Sequence, residues 1–166
     1  MNILRPQEGK PDRRRIVLLI VLAVGVLTAS WFLTSPKQAD TILVTFPSGT
    51  MMETEVADTP EKLLFGLAFR DALPPASGML YIFEQSDRHK VWTKGFRFPV
   101  DMIWADESRH VVHLVERAAP CETDPCATYG PPPTNARYII ETDAGFIQKE
   151  KLVTGAELKF TLKLDL

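Results

Sequence analysis

The sequence predicts a mainly β domain, two packed antiparallel sheets or a barrel with one short helix, preceded by one N-terminal transmembrane helix. Three observations predict it. About eight short apolar or alternating segments follow one another between residues 41 and 164. Only one stretch among them carries clear helix-start signals, and no long βαβ crossover separates the strands, so a nucleotide-binding parallel sheet is not expected. In front of them, Arg13-Arg14-Arg15 runs straight into eighteen residues, Ile16 to Leu33, without a charge.

That run has the length of a membrane-crossing helix, roughly 17–25 residues. Trp31 stands near its far end, where an amphipathic ring suits the interface. Arg5, Lys10 and Arg13 to Arg15 precede it, and Lys37 is the nearest base after it. The positive-inside rule then keeps residues 1–15 in the cytoplasm and exports everything beyond about residue 35. A cleaved signal peptide shares these features, with Thr28-Ala29-Ser30 as the candidate cleavage site. The apolar run continues through that site, which favours an uncleaved anchor over residues 16–33, a linker at 34–40 and a domain at 41–166. Both readings export the same domain, to the periplasm or another extracytoplasmic space.

Residues 1–39 carry 6 bases and 2 acids, net +4; residues 40–166 carry 13 bases and 19 acids, net −6. The basic end suits anionic lipid. The acidic domain argues against nucleic acid as a partner. About 130 residues are enough for one domain with a core of its own.

Taken in order, Thr41 to Phe46 is β-branched and apolar, hence a strand, and Pro47-Ser48-Gly49 a turn. Met51 to Val56 alternates Glu53 and Glu55 with Met52, Thr54 and Val56, the period of a second, half-buried strand in a hairpin. Asp58-Thr59-Pro60-Glu61 starts a helix: Asp58 or Thr59 can cap it, Pro60 suits its first turn, and Glu61 complements the dipole. Capping accounts for Asp58 and Glu61 without a catalytic carboxylate pair. Leu64, Leu67 and Ala68 share a helical face, expected in the core, and Pro74-Pro75 closes the segment. Strands follow at 79–83, 90–93, 100–105, 111–115 and 137–142. Residues 144–149 read as a turn or short helix. Glu157 to Leu164 alternates four apolar with four polar residues, the clearest amphipathic strand in the chain.

The two cysteines, Cys121 and Cys126, enclose a short acidic loop. An exported domain meets an oxidising compartment, so a disulfide that shapes this loop is the favoured reading. Zinc wants four ligands, and His89, His110 and His113 have no matching spacing. A redox motif would place two residues between the cysteines, not four. No metal and no cofactor is expected.

Several segments together resemble the DUF192 family: Ala57 to Lys62 with Gly66 to Arg70, Gly78 to Phe83, Trp92 to Trp104, the cysteine loop ending at Tyr129, and Tyr138 to Glu141 before Gly145. They run in order over about residues 42–164. The resemblance implies a jelly-roll-like β-sandwich and leaves the activity open, since the family is one of unknown function. Around Lys94 the family pattern reads Trp or Phe, Met, Lys, Asn, Thr. This chain has Thr93 and Gly95 where Met and Asn are usual, then Phe96, so it lacks that Asn side chain. Lys94, Pro99 and Asp101 keep the pattern.

Lys94 and Asp101 stand out as charges inside apolar surroundings. A buried Asp101 needs a partner, and Lys94, Arg70 and Arg97 can supply one. The plain reading is a structural ion pair. The functional one has Arg70, Lys94 and Asp101 lining a pocket for a small polar or anionic ligand, with Trp92 as an aromatic wall and Tyr129 and Pro131-Pro132-Pro133 over it. No Ser-His-Asp set or phosphate loop is present; Ser48 and Ser77 lie in turns, and His89 is flanked by bases. Three functions follow. The first is a binding module for an envelope ligand such as a sugar or cell-wall fragment. The second is an assembly factor docking through Trp92 to Trp104. The third is a carbohydrate hydrolase using Asp101 and a second carboxylate about 5–10 Å away.

Overall fold

The computed structural model describes residues 13–33 and 41–162, with side chains at 13–26 and 41–162. The chain divides into two compact units, 1–38 and 39–166.

In the first unit, α1 (Arg13–Leu33) begins at the arginine cluster. Its apolar side chains from Ile16 to Val26 are exposed on every side. Among the described residues no helix is long and apolar enough to cross a membrane. The predicted span of 16–33 includes 27–33, whose side chains lie outside the described residues, as do the linker at 34–40 and positions 1–12. The described residues thus carry a helix over the predicted span and do not by themselves show a membrane crossing.

The second unit is built on a seven-stranded sheet. Its strands are β1 (Thr41–Thr45), β2 (Met51–Ala57), β3 (Ser77–Asp87), β5 (Val100–Ala105), β6 (Val111–Ala118), β8 (Ala136–Asp143) and β9 (Lys159–Leu162). The order across the sheet is β6-β5-β8-β3-β2-β1-β9. A two-stranded sheet pairs β4 (Val91–Trp92) with β7 (Thr128–Tyr129). Two short helices, α2 (Pro60–Phe65) and α3 (Phe146–Glu150), complete it.

The expected antiparallel sandwich or barrel is thus corrected to a mixed sheet with no closed barrel. The hairpin forms as its alternation predicts, Thr45 opposite Met51 and Thr41 opposite Glu55. β2 and β3, however, run parallel, Glu53 opposite Ser77 and Ala57 opposite Tyr81. Parallel neighbours need a crossover, and α2 with residues 66–76 provides it. The outer strands do not pair along their length. Gly155, Ala156 and Leu158, before β9, hydrogen-bond instead to Val111, the first residue of β6, and to Arg109 just before it. The strand expected at 157–164 is shorter, and positions 163–166 lie outside the described residues.

α2 starts where the sequence says it should, with the Thr59 hydroxyl accepting the Lys62 N–H and Pro60 in the first turn. It stops at Phe65, because Gly66 turns to φ +49°. Helical spacing therefore does not carry on to Leu67. Leu67 is fully buried, but Leu64, expected beside it in the core, is 54% exposed.

The pleat divides the sheet's chemistry between two apolar clusters. Met79, Tyr81, Val100, Met102, Trp104 and Ile139 face one; Leu80, Ile103, Ala105, Ile140, Ile147 and Leu158 face the other. Alternate residues of a strand point to opposite faces. Asp101 thus shares a face with Ile103, and Glu141 shares the opposite face with Ile139.

Candidate functional site

Asp101 is fully buried and committed to the backbone. One carboxylate oxygen accepts the Arg117 N–H at 2.8 Å; the other accepts Gly145 N–H at 3.0 Å and Ile147 N–H at 2.8 Å. Arg117 lies where β6 carries an extra residue against β5, at φ +52°. Asp101 therefore staples a β-bulge to the loop entering α3. It does not meet Lys94, whose ammonium pairs with Asp124 at 2.8 Å on the surface. The expected Lys94–Asp101 pair is absent, and the Asp101 oxygens are taken up by backbone donors instead.

Arg70 grips Glu55 with two hydrogen bonds, 2.5 and 2.6 Å, which raise the guanidinium's pKa and lower the carboxyl's. The pair is about one-third exposed, so its net worth is small. The Tyr129 hydroxyl donates to the Ala119 carbonyl at 3.3 Å. Of the five residues expected at a site, only Trp92 lines the cavity described next. Arg97, the other proposed partner of Asp101, pairs with Asp71. Within the stretch Trp92 to Trp104, Phe96 and Trp104 are buried in the domain's own core, while Trp92 is exposed.

The disulfide between Cys121 and Cys126 is present. Its loop is tied to the end of β4: Cys121 N–H donates to the Thr93 carbonyl at 3.2 Å, and Lys94 reaches Asp124. The Thr93 hydroxyl donates to Ala119 at 2.7 Å. Reducing this disulfide is expected to cost at most about 2 kcal/mol, as for any loop of so few residues. The check is a urea melt with and without reductant.

A cavity of about 320 Å³ opens on the face of the sheet opposite Asp101. α2 contributes Leu63, Leu64 and Phe65; β3 contributes Tyr81 and Phe83; Lys90, Val91, Trp92, Phe96 and Thr128 close the far side. Glu141, from β8, is its buried acid, 1% exposed. The Tyr81 hydroxyl donates to Glu141 Oε2 at 2.5 Å. Burial pushes the Glu141 carboxyl up to about 8, against the smaller opposing effect of the Tyr81 hydrogen bond. The Tyr81 phenol is pushed well above its ordinary range by burial first, then by the neighbouring carboxylate. At neutral pH Glu141 is therefore mostly a neutral acid at the wall of an aromatic cavity.

Gly66 makes room for this pair. A Cβ there would lie 1.8 Å from the Tyr81 hydroxyl oxygen, and the φ of +49° already disfavours a side chain. Gly66→Ala is expected to destabilise the domain by about 2–4 kcal/mol, through strain and displacement of Tyr81. Denaturant unfolding measures it, and a change below about 1 kcal/mol would mean the ring has room to move.

Tyr81 and Glu141 were legible by the rule that marks Asp101, a polar group inside an apolar strand. Tyr138-Ile139-Ile140-Glu141 carries that signal as plainly as Val100-Asp101-Met102. What one strand cannot show is which of the two acids faces a cavity.

The family DUF192, described as Uncharacterized ACR, COG1430, matches residues 43–160, most of the chain. The chain belongs to the DUF192 family. A crystal structure of a protein of unknown function from Novosphingobium aromaticivorans DSM 12444 is similar, at TM-score 0.66 and 22% identity, covering 76% of this chain and 88% of that one. Another, from Sinorhizobium meliloti 1021 and described as a proposed transcription regulator, has TM-score 0.62 and 22% identity, covering 73% and 92%. At that identity both bear on the fold alone. No curated protein matches the chain. In this DUF192 member, Gly95, standing where the family pattern has Asn, takes φ +77°. Glycine and asparagine are the residues that reach that conformation most readily.

Proposed function

We propose that this protein is a membrane-anchored, extracytoplasmic binding module whose ligand sits in the Tyr81–Glu141 cavity. The observation that carries the reading is a concave, mostly apolar space rich in aromatic rings, with one buried polar pair, the usual composition of a small-molecule site. The anchor is supported by a charge-free run after Arg13 to Arg15 and by a helix apolar on every described side. An oxidised Cys121–Cys126 pair suits a compartment outside the cytoplasm. The domain's acidity argues against nucleic acid.

The walls narrow the ligand. A sugar carries hydroxyls around most of its ring, and against Phe83, Trp92 and Phe96 many would lose water without gaining a partner. A compact molecule with an apolar body and one polar group fits better. The test is a thermal-shift panel on the full-length protein in nonionic detergent, spanning sugars, cell-wall fragments and small amphipathic metabolites. A stabilising compound whose effect is lost in Trp92→Ala is the expected result. A panel without any shift overturns the reading.

A further inference from the structure

Resting on that reading, we infer that the cavity accepts an organic ammonium group, held between its aromatic rings and the Glu141 carboxylate. Phe65, Tyr81, Phe83, Trp92 and Phe96 line the space around one buried acid. Aromatic faces attract a desolvated cation, and boxes of such rings are how alkylated ammonium groups are held without hydrogen bonds. The cation still needs a counter-charge, and Glu141 supplies it.

The neighbouring charges are compatible. Tyr81 donates to Glu141 and stays neutral. Arg70, whose charge acts on Tyr81, is already paired with Glu55. Lys90 lines the cavity but is exposed, where water screens it. Among the described residues Glu141 is hydrogen-bonded to the Tyr81 hydroxyl and takes part in no ion pair, so an arriving cation meets a buried acid without a positive partner there. On binding, the Glu141 O–H bond breaks, the proton leaves to solvent, and carboxylate and ammonium form a buried pair.

The experiment is calorimetric titration of the full-length protein, in nonionic detergent, with choline and with its uncharged tert-butyl analogue. Each titration is run in two buffers of different ionisation heat. Choline is expected to bind at least about tenfold tighter than the analogue, as the loss of one charge pair requires. It should release about one proton per site near neutral pH, and its affinity should rise about tenfold per pH unit until Glu141 is ionised. Glu141→Gln should cut the preference to what the aromatic rings alone supply and abolish the proton release. Proton release in the unaltered protein reads the same point if that variant does not fold. Equal binding of both compounds without proton release overturns the ammonium assignment and leaves the ligand-binding reading standing. Binding of neither overturns the assignment too, and together with a blank metabolite panel it removes both.

Discussion

Asp101→Ala is expected to take about 3–6 kcal/mol from the stability of the β domain, because three N–H groups, one buried and two part-buried, lose their acceptor at once. Arg117, Gly145 and Ile147 each donate to this one carboxylate, and its surroundings are too buried for water to replace it readily. Domains are stable by only about 5–15 kcal/mol, so the variant would stand at the edge of folding. Asp101→Asn keeps one acceptor oxygen but turns an amide N–H toward backbone donors, and should fall between the two. The measurement is the urea midpoint at unchanged slope. A loss of less than about 1 kcal/mol in the alanine variant would show that the bulge in β6 and the entry to α3 hold without the staple. Ligand binding in a variant that still folds should change little, since Asp101 lies on the other face of the sheet.

The second large effect is on pH. The folded state holds Glu141 near 8, against about 4.5 for an ordinary Glu carboxyl. Between those values the native protein binds more protons at this group than the unfolded chain does. Stability is therefore greatest below the unfolded value, falls as pH rises, and levels off above the folded value. Across that window the loss is on the order of 5 kcal/mol. Glu141→Gln should flatten this slope and leave the variant more stable than the parent above neutrality, provided the amide accepts the Tyr81 hydroxyl. Glu55, held low by Arg70, acts in the opposite sense and in the acid range, so subtracting the two pH profiles isolates Glu141. Parallel profiles for parent and variant would mean that Glu141 is solvated in solution.

The sequence carries most of the strand map and little of the sheet's connectivity. Alternation at Met51 to Val56 and the apolar run at Val100 to Ala105 place β2 and β5, and the Thr59-Pro60 start places α2, because those signals are local. The parallel pairing of β2 with β3 is set by a crossover that looks, residue by residue, like a helix and a loop. Asp101 was recognisable as buried but not as a backbone staple, since its donors lie 16, 44 and 46 residues away. Lys94 sits two residues past β4, and its pairing with Asp124 depends on the disulfide loop folding back over it. Glu141 carries the same signal as Asp101, but its direction is hidden by an ambiguity of parity: a strand buried on both faces has no polar side to reveal which way its acid points.

The place of β8 has a consequence for how the domain assembles. It lies in the middle of the sheet, between β5 and β3, yet it is next to last in the chain. Until residue 143 has been made, β3 and β5 each keep an open edge that belongs to it. Tyr81 pairs with Ile139 and Asp101 with Thr142 across dozens of intervening residues, so closure of long loops precedes most of the stabilising contacts. Refolding should accordingly be slow, in milliseconds to seconds, and chains truncated before β8 should associate through those unfilled edges.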